Sequence, residues 1–297
     1  MKSETGLKIK EKIKVGIFGN PQKKELDKLL AVITSLLSKY RTGYLIDDSL
    51  KEHLAPGNKI HTDTSSSILS KSGIVFSLGG DGTFLNTAKI VGNRNIPILG
   101  INLGRLGFFS EIGPGEIKKF IPDLLNGKYK IKEQTIIRAE INKTALFGLN
   151  DIVIDKSKSI RMIETITYYN GEKVFKCLSD GIIVSTPAGS TGYSMSCNGP
   201  VVNPKSSVFI ITPISPHTLN VRPIIIPDDG EIKIKLPHSG EARITADGQK
   251  SIPFKSPVEV RMSKADYTIK VVKKVNSTYF NTLTKKLFWN VDKRTYS

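Results

Sequence analysis

The run Gly79-Gly80-Asp81-Gly82-Thr83 constrains this chain more than any other, because it puts one carboxylate inside a bend that glycines make possible. The apolar, β-branched stretch Gly73-Ile74-Val75-Phe76-Ser77-Leu78 precedes it and predicts a buried strand. Residues 84–91 follow with helical spacing. Backbone N–H groups at such a strand–glycine–helix junction gather near a helix start, a natural place for a phosphate. Asp81 is the odd residue there, since a carboxylate repels a phosphate unless a metal ion or a hydroxyl proton accounts for it. Transfer of a phosphoryl group to a hydroxyl supplies both. A tight turn with Asp81 as a helix cap is the plainer alternative.

The first third of the chain alternates strand and helix. Residues 14–19 read as a strand, 21–40 hold a helix with Leu26, Leu29, Leu30, Ile33 and Leu37 at helical spacing, and 44–46 read as a short strand. The strand over 73–78, the helix after Asp81 and the apolar 96–102 continue the pattern, and 114–125 predicts another helix ending at Gly127. Such alternation predicts a parallel sheet covered by helices, with ligands bound beyond the carboxyl ends of its strands. Beyond this the texture changes to strands, at 129–141, 161–169, 174–177, 181–185, 208–212, 223–226, 232–236, 241–245 and 258–262. Turns such as Asn170-Gly171 and Asp228-Asp229-Gly230 separate some of them. The fold class is therefore an α/β N-terminal domain with a Rossmann-like parallel sheet, followed by an all-β domain. Helical spacing over 280–289 predicts a C-terminal helix that packs back on the first domain. The expected domains are 1–112, 113–270 and a returning segment 271–297.

Composition narrows the function classes. The 297 residues are 39% hydrophobic and 24% charged, ordinary for a globular protein. No apolar run approaches the roughly 18 to 20 residues that span a bilayer. The charged N-terminus, with Lys8, Lys10, Glu11, Lys12 and Lys14, is unlike a signal peptide. Two cysteines, Cys177 and Cys197, without Cys-x-x-Cys spacing suit a reducing cytoplasm, and the four histidines show no metal-ligand spacing. The net charge of +17 admits nucleic acid, a membrane surface or small polyanionic substrates. An Arg-rich aromatic stripe for single-stranded nucleic acid is missing, and a solvated lysine-rich surface accounts for the charge.

A second constellation, Ser179 to Ser196, is dense in small and hydroxylated residues and suits a polar ligand carrying ribose and amide groups. A bare Ser/Thr-rich loop is the alternative. No Gly-x-Ser-x-Gly elbow, Gly-x-Gly-x-x-Gly fingerprint or Walker-type loop is present, which disfavours a serine hydrolase, a Rossmann dehydrogenase and a nucleotide-switch ATPase.

Together these segments resemble the NAD kinase family. The resemblance runs through residues 79–83, 99–108, 149–154, 180–196, 211–219, Arg222-Pro223-Ile224, Asp247-Gly248-Gln249 and 280–289. It implies transfer of the terminal phosphoryl group of ATP to the adenosine-ribose 2′-hydroxyl of NAD, with a divalent metal, magnesium by expectation, bridging the phosphates. It implies that Asp81 is the catalytic aspartate accepting the hydroxyl proton and that Gly82 adds backbone at that site. Asn150 and Asp151 match the pair that binds adenosine ribose, with Asp151 one methylene shorter than the usual Glu. Asp180 matches a residue near the nicotinamide end, and Tyr193 can stack on a base. Phe108, Ala188, Thr191, Gly192, Ser194, Met195 and Ser196 fall on ligand-contacting runs, and Arg161 and Gln249 fall on positions that contact ligand in relatives. Asn150-Asp151 as a plain turn, Asp180 as an Asx cap and Arg161 as a surface residue on a strand remain the structural alternatives. Gly192 and Ala188 depart slightly from the family pattern, and Leu178 stands at an often basic position. The resemblance also implies a homo-oligomer. A lipid kinase of the diacylglycerol or sphingosine type shares Gly-Gly-Asp-Gly and is the enzyme alternative; a basic nucleic-acid-binding protein is the non-enzyme one.

Overall fold

The computed structural model describes residues 14–54, 62–104, 107–218 and 220–287. They divide into two compact units, Met1–Glu133 with Ile269–Ser297, and Gln134–Thr268.

The first unit alternates strand and helix as its sequence predicts. In order come β1 (Lys14–Gly19), α1 (Leu26–Lys39), β2 (Tyr44–Asp47), β3 (Thr62–Asp63), α2 (Ser65–Lys71), β4 (Ser72–Leu78), α3 (Asp81–Val91), β5 (Ile98–Ile101) and α4 (Ile117–Leu125). These strands pair in parallel in the order β5-β4-β1-β2-β3. Such a doubly wound sheet leaves a crevice where the strand order reverses, at the carboxyl ends of β1 and β4. There the Asn20 amide donates to the Leu78 carbonyl at 3.1 Å, and residues 79–83 leave β4 for α3.

Burial follows the sequence pattern. The residues from Ile74 to Leu78 are all buried, as expected of a strand inside a parallel sheet, and α1 buries Leu26, Leu29, Leu30, Ile33 and Leu37 on one face. α1 begins only at Leu26, because residues 21–25 form turns. The serines of Ser65-Ser66-Ser67 obscured α2, which is seven residues long and buries only Ile68 and Leu69.

The change of texture near residue 112 does not coincide with the division between units. Ile117, Phe120, Ile121 and Leu124 of α4 share one core cluster with Leu26, Leu30 and Phe76, so residues 113–133 belong with the first unit. The C-terminal helix, α6 (Tyr279–Leu287), also belongs there; Phe288 and Trp289 lie outside the described residues.

The second unit is built on strands. β6 (Lys130–Ile141, from Gln134 in this unit), β7 (Thr144–Gly148), β8 (Asp151–Asp155), β9 (Ile163–Tyr169), β10 (Glu172–Ser179) and β11 (Gly181–Ser185) precede the one-turn α5 (Tyr193–Ser196). After it come β12 (Val208–Ile214), β13 (Ile224–Pro227), β14 (Ile232–Ala246) and β15 (Lys250–Lys273, to Thr268 in this unit). The antiparallel order is β13-β12-β11-β8-β14-β15. The strands expected at 232–236 and 241–245 are one, β14. The Pro237-His238-Ser239-Gly240 stretch between them is an irregularity in the ladder between Leu236 and Gly240. Asn170-Gly171 is a turn as predicted, with φ of 49° and 85° joining β9 to β10.

Phe76 lies fully buried in β4 next to the site-bearing turn. Phe76→Ala is expected to destabilise the first unit by about 3–5 kcal/mol, measured as a shift in its denaturant unfolding midpoint.

Candidate functional site

Each unit carries a cluster of the residues singled out by sequence. In the first, Asp81 opens α3, followed by Gly82. The Phe108 amide donates to Asp81 Oδ2 at 2.8 Å, and the amides of Phe109 and Ser110 donate to Oδ1 at 3.0 and 3.3 Å. Gly107 permits this approach, because a Cβ there would stand 2.1 Å from Oδ1. Positive φ is needed at only one glycine of the Gly-Gly-Asp-Gly turn. Gly79 has φ +155°, and a Cβ there would meet Thr83 Oγ1 at 2.2 Å. Gly80 and Gly82 have open space where a Cβ would stand, so they clear room beside the carboxylate. Arg105 and Leu106, which belong to the same resemblance, lie outside the described residues.

Behind residues 107–110 lies a buried ion pair. Lys273 Nζ donates to the Phe108 carbonyl at 2.6 Å and to Glu111 Oε1 at 2.7 Å. Ser277 Oγ and Thr282 Oγ1 donate to Glu111 at 2.7 and 3.1 Å. Burial works to raise the pKa of Glu111, but the Lys273 charge and these hydrogen bonds outweigh it and hold the carboxyl below its ordinary value. On α6, Lys286 Nζ lies 3.9 Å from Asp81 Oδ2 and 5.8 Å from the centroid of the Phe108 ring. Lys273 and Glu111 were not legible as site residues, because nothing local in sequence ties them to Asp81; Lys286 lies in the 280–289 stretch of the resemblance, whose spacing predicts only a packing helix.

In the second unit the pleat of two strands sorts core from cavity. Ile152 and Ile154 of β8, with Ala242, Ile244 and Ala246 of β14, enter the core cluster. The alternate residues Asp151, Val153 and Asp155, with Arg243 and Thr245, line a cavity of about 460 Å³. Asn150 and Tyr193 line it too, so the structure brings the predicted pair and the predicted aromatic together. Arg243 Nε holds both oxygens of Asp155, at 2.9 and 3.0 Å.

Asp247, part of a quoted motif but not read as a site residue, organises this cluster. It sits at φ 52° beside Gly248 at φ 66°, a turn closed by the Gln249 amide donating to the Ala246 carbonyl at 2.9 Å. Its carboxylate accepts from the amides of Leu149, Asn150 and Asp151 at 2.9, 2.7 and 3.2 Å. An Asp-Gly pair at a hairpin was the available signal. Asp151 is buried, and burial followed by the Asp247 charge pushes its pKa from 3.8 up to about 7.

Thr186 and Gly189 clamp Asn150 from the other side. The Thr186 amide donates to the Asn150 carbonyl at 2.9 Å, and its hydroxyl donates to the Leu149 carbonyl at 2.6 Å. A Cβ on Gly189 would fall 1.9 Å from the Asn150 carbonyl oxygen, so no other residue fits. A Cβ on Gly192 would lie 3.8 Å from Asn150 Nδ2 and 3.9 Å from Asp151 Oδ2, which puts Gly192 beside both side chains.

The remaining predicted residues stand apart from the cavity lining. Ser194 is buried and shares a 2.9 Å hydrogen bond with Thr212 Oγ1. Arg161 is exposed in the turn before β9, rather than on the strand expected from 161. Asp180 pairs with Lys156 Nζ at 2.8 Å, and Gln249 is exposed at the hairpin. Ala188 and Thr191 belong to a short 3-10 helix, while Met195 and Ser196 lie in α5. Leu178 is exposed on β10.

Known proteins resemble this chain along most of its length. The family model for the ATP-NAD kinase N-terminal domain matches residues 15–129, and that for the ATP-NAD kinase C-terminal domain matches 149–274. An NAD kinase of Cytophaga hutchinsonii is 37% identical over 288 residues, covering 94% of this chain and 98% of that protein. The crystal structure of yeast NADH kinase complexed with NADH shares the fold at a TM-score of 0.84 and 24% identity, over 94% of this chain and 89% of that one. An NAD kinase from Archaeoglobus fulgidus, solved in complex with ATP, shares it at 0.75 and 23% identity, over 92% and 99%. These matches define a phosphotransferase with an alcohol group as acceptor. The chain belongs to the NAD kinase family. The relatives lend no support to a lipid kinase or a nucleic-acid-binding protein.

The Asp151 pKa has a consequence for stability. The folded state holds the proton more tightly than the unfolded one, so the stability it contributes is present below pH about 4 and is lost as pH rises toward 7. At most this is on the order of 4 kcal/mol. Asp151→Asn is expected to flatten that decline in unfolding free energy between pH 4 and 7; an unchanged slope would exclude Asp151 as its source.

Proposed function

We infer that the protein transfers the terminal phosphoryl group of ATP to the 2′-hydroxyl of the adenosine ribose of NAD, giving NADP. The observation that carries the residue assignment is Asp81 at the crevice of a doubly wound sheet, with open space over Gly80 and Gly82 beside it.

The hydrogen bonds to Asp81 favour one oxygen as the base. A carboxylate oxygen has two lone pairs; Oδ1 spends both on the Phe109 and Ser110 amides, whereas among the described residues Oδ2 accepts a hydrogen bond from Phe108 alone. Oδ2 is therefore the atom that receives the 2′-hydroxyl proton. The ribose oxygen then bonds to the γ-phosphorus as the bridging bond to ADP breaks, and the leaving electron pair goes to ADP. The fixed amides of 108–110 hold the carboxylate in place, so its work is positioning as much as proton transfer.

The cavity of the second unit suits the adenosine ribose of NAD. Asn150 and Asp151 offer an amide and a carboxyl on one side, and Tyr193 offers a half-exposed ring on which a base can stack. Burial keeps the Tyr193 phenol above its ordinary pKa, hence neutral in this role. Ala188, Thr191, Gly192 and the run to Ser196 would frame the dinucleotide. Among the described residues no group of three or more His, Cys, Asp or Glu could hold a metal ion. The donor set fits a magnesium ion carried on the phosphates of ATP, with Asp81 as the carboxylate able to share it. Bound there, the ion would offset phosphate charge. The free thiols Cys177 and Cys197 support a reducing, cytoplasmic setting, and the family resemblance supports a homo-oligomer.

Incubation with ATP, magnesium and NAD, followed by an NADP-specific dehydrogenase, tests the reading. NADP is expected; its absence together with phosphorylation of a lipid would overturn it. Asp81→Asn is expected to lower kcat by about 100-fold or more while leaving the Kd for NAD within a few-fold. A near-normal rate would remove the proton-accepting role.

A further inference from the structure

We propose that Lys286 of α6 contacts the terminal phosphoryl group of ATP and pairs it with Asp81. The inference rests on the reading of the chain as an ATP-dependent kinase and gives a role to a residue of the 280–289 stretch, whose spacing predicts only a packing helix.

The placement is built rather than incidental. Thr282 is buried and its hydroxyl is tied to Glu111, which fixes the register of α6. Lys286 lies four residues on, on the same helix face, one turn further along. Its ammonium lies near the face of the Phe108 ring, 5.8 Å from the centroid. Phe108 is itself held at both ends of its peptide unit, the amide by Asp81 at 2.8 Å and the carbonyl by Lys273 at 2.6 Å. The ammonium consequently stands 3.9 Å from Oδ2, the Asp81 oxygen with a lone pair to spare. Lys285, next along the helix, is exposed and acts electrostatically on Glu116 instead.

Charge gives this position its function. A phosphoryl group delivered beside Asp81 meets a like charge, and Gly80 and Gly82 clear space there without supplying a side chain. Among the described residues, Lys286 is the side-chain cation within 4 Å of Oδ2, positioned to offset both charges, and at one-third exposure it can turn from the carboxylate to a phosphate oxygen. In the transfer step the 2′-oxygen–phosphorus bond forms, the bond to the bridging oxygen of ADP breaks, and the proton goes to Asp81. The Lys286 ammonium keeps its protons throughout and stabilises the charge on the equatorial oxygens.

The test uses the full chain and three variants. Lys286→Met keeps the stem near Phe108 and removes the charge; Lys286→Arg restores a charge; Lys285→Met is the neighbouring control. Binding of ATP with magnesium is measured without NAD, beside steady-state kinetics and thermal unfolding. Lys286→Met is expected to weaken ATP binding and lower kcat by about 10- to 100-fold, with the Kd for NAD within twofold. Lys286→Arg should recover most of the loss, and Lys285→Met should match the parent. ATP binding and kcat within twofold of the parent in Lys286→Met would overturn the proposal. So would a loss shared equally by NAD, or a loss in both Lys286 variants that tracks a lower unfolding temperature. If the parent chain makes no NADP, the kinase reading falls instead; if it does and Lys286→Met equals it, only the role of Lys286 falls.

Discussion

A carboxylate that accepts successive backbone amides is the interaction on which both clusters depend. Asp81 takes the amides of residues 108–110, and Asp247 takes those of residues 149–151. Loop amides must find acceptors, and a carboxylate with four lone pairs can serve several at once without demanding regular secondary structure. The two anchors differ in what surrounds them. Asp81 keeps 27% of its side chain exposed and has Lys286 for a neighbour. Asp247 stands beside buried Asp151, and its charge helps to drive that pKa upward. One device thus yields an accessible ionic centre in the first unit and a proton-holding carboxyl in the second.

The sequence disclosed what depends on neighbours along the chain. Glycines around Asp81, the buried run of β4 and the helical spacing of α1 are local signals, and the structure forms there as predicted. The alternation in Asp151-Ile152-Val153-Ile154-Asp155 also encodes which side chains face the cavity, once β8 is known to lie between β11 and β14. Contacts closed over long separations were not legible. Leu149 and Asp247 are 98 residues apart, and Lys273 and Phe108 are 165 apart. No periodicity or spacing rule connects such pairs. Arg161 and Gln249, matched by motif position, lie outside the lining of the second unit's cavity.

The change of texture near residue 112 and the end of the compact unit at Glu133 differ for a related reason. Texture reports the change from helix to strand, whereas a unit is defined by the core its residues enter. α4 follows the last strand of the alternating region, yet its Ile117, Phe120, Ile121 and Leu124 can be buried only with the residues of α1 and the parallel sheet. α6 returns to the first unit on polar terms, through Thr282 and Ser277 on Glu111.

That polar return bears on why a buried ion pair persists in the first unit. Lys273 and Glu111 retain only 6% and 12% side-chain exposure, so both have lost most of their hydration. Such pairs contribute little net stability when compared with apolar residues of similar shape. An apolar pair at these positions could fill the space, but it would leave the Phe108 carbonyl and the hydroxyls of Ser277 and Thr282 without these partners. Phe108 would then lose one of the two bonds that orient its peptide unit toward Asp81, and α6 would lose its register. The ion pair therefore earns its place through position: it sets where one amide points, and through that amide where the carboxylate stands.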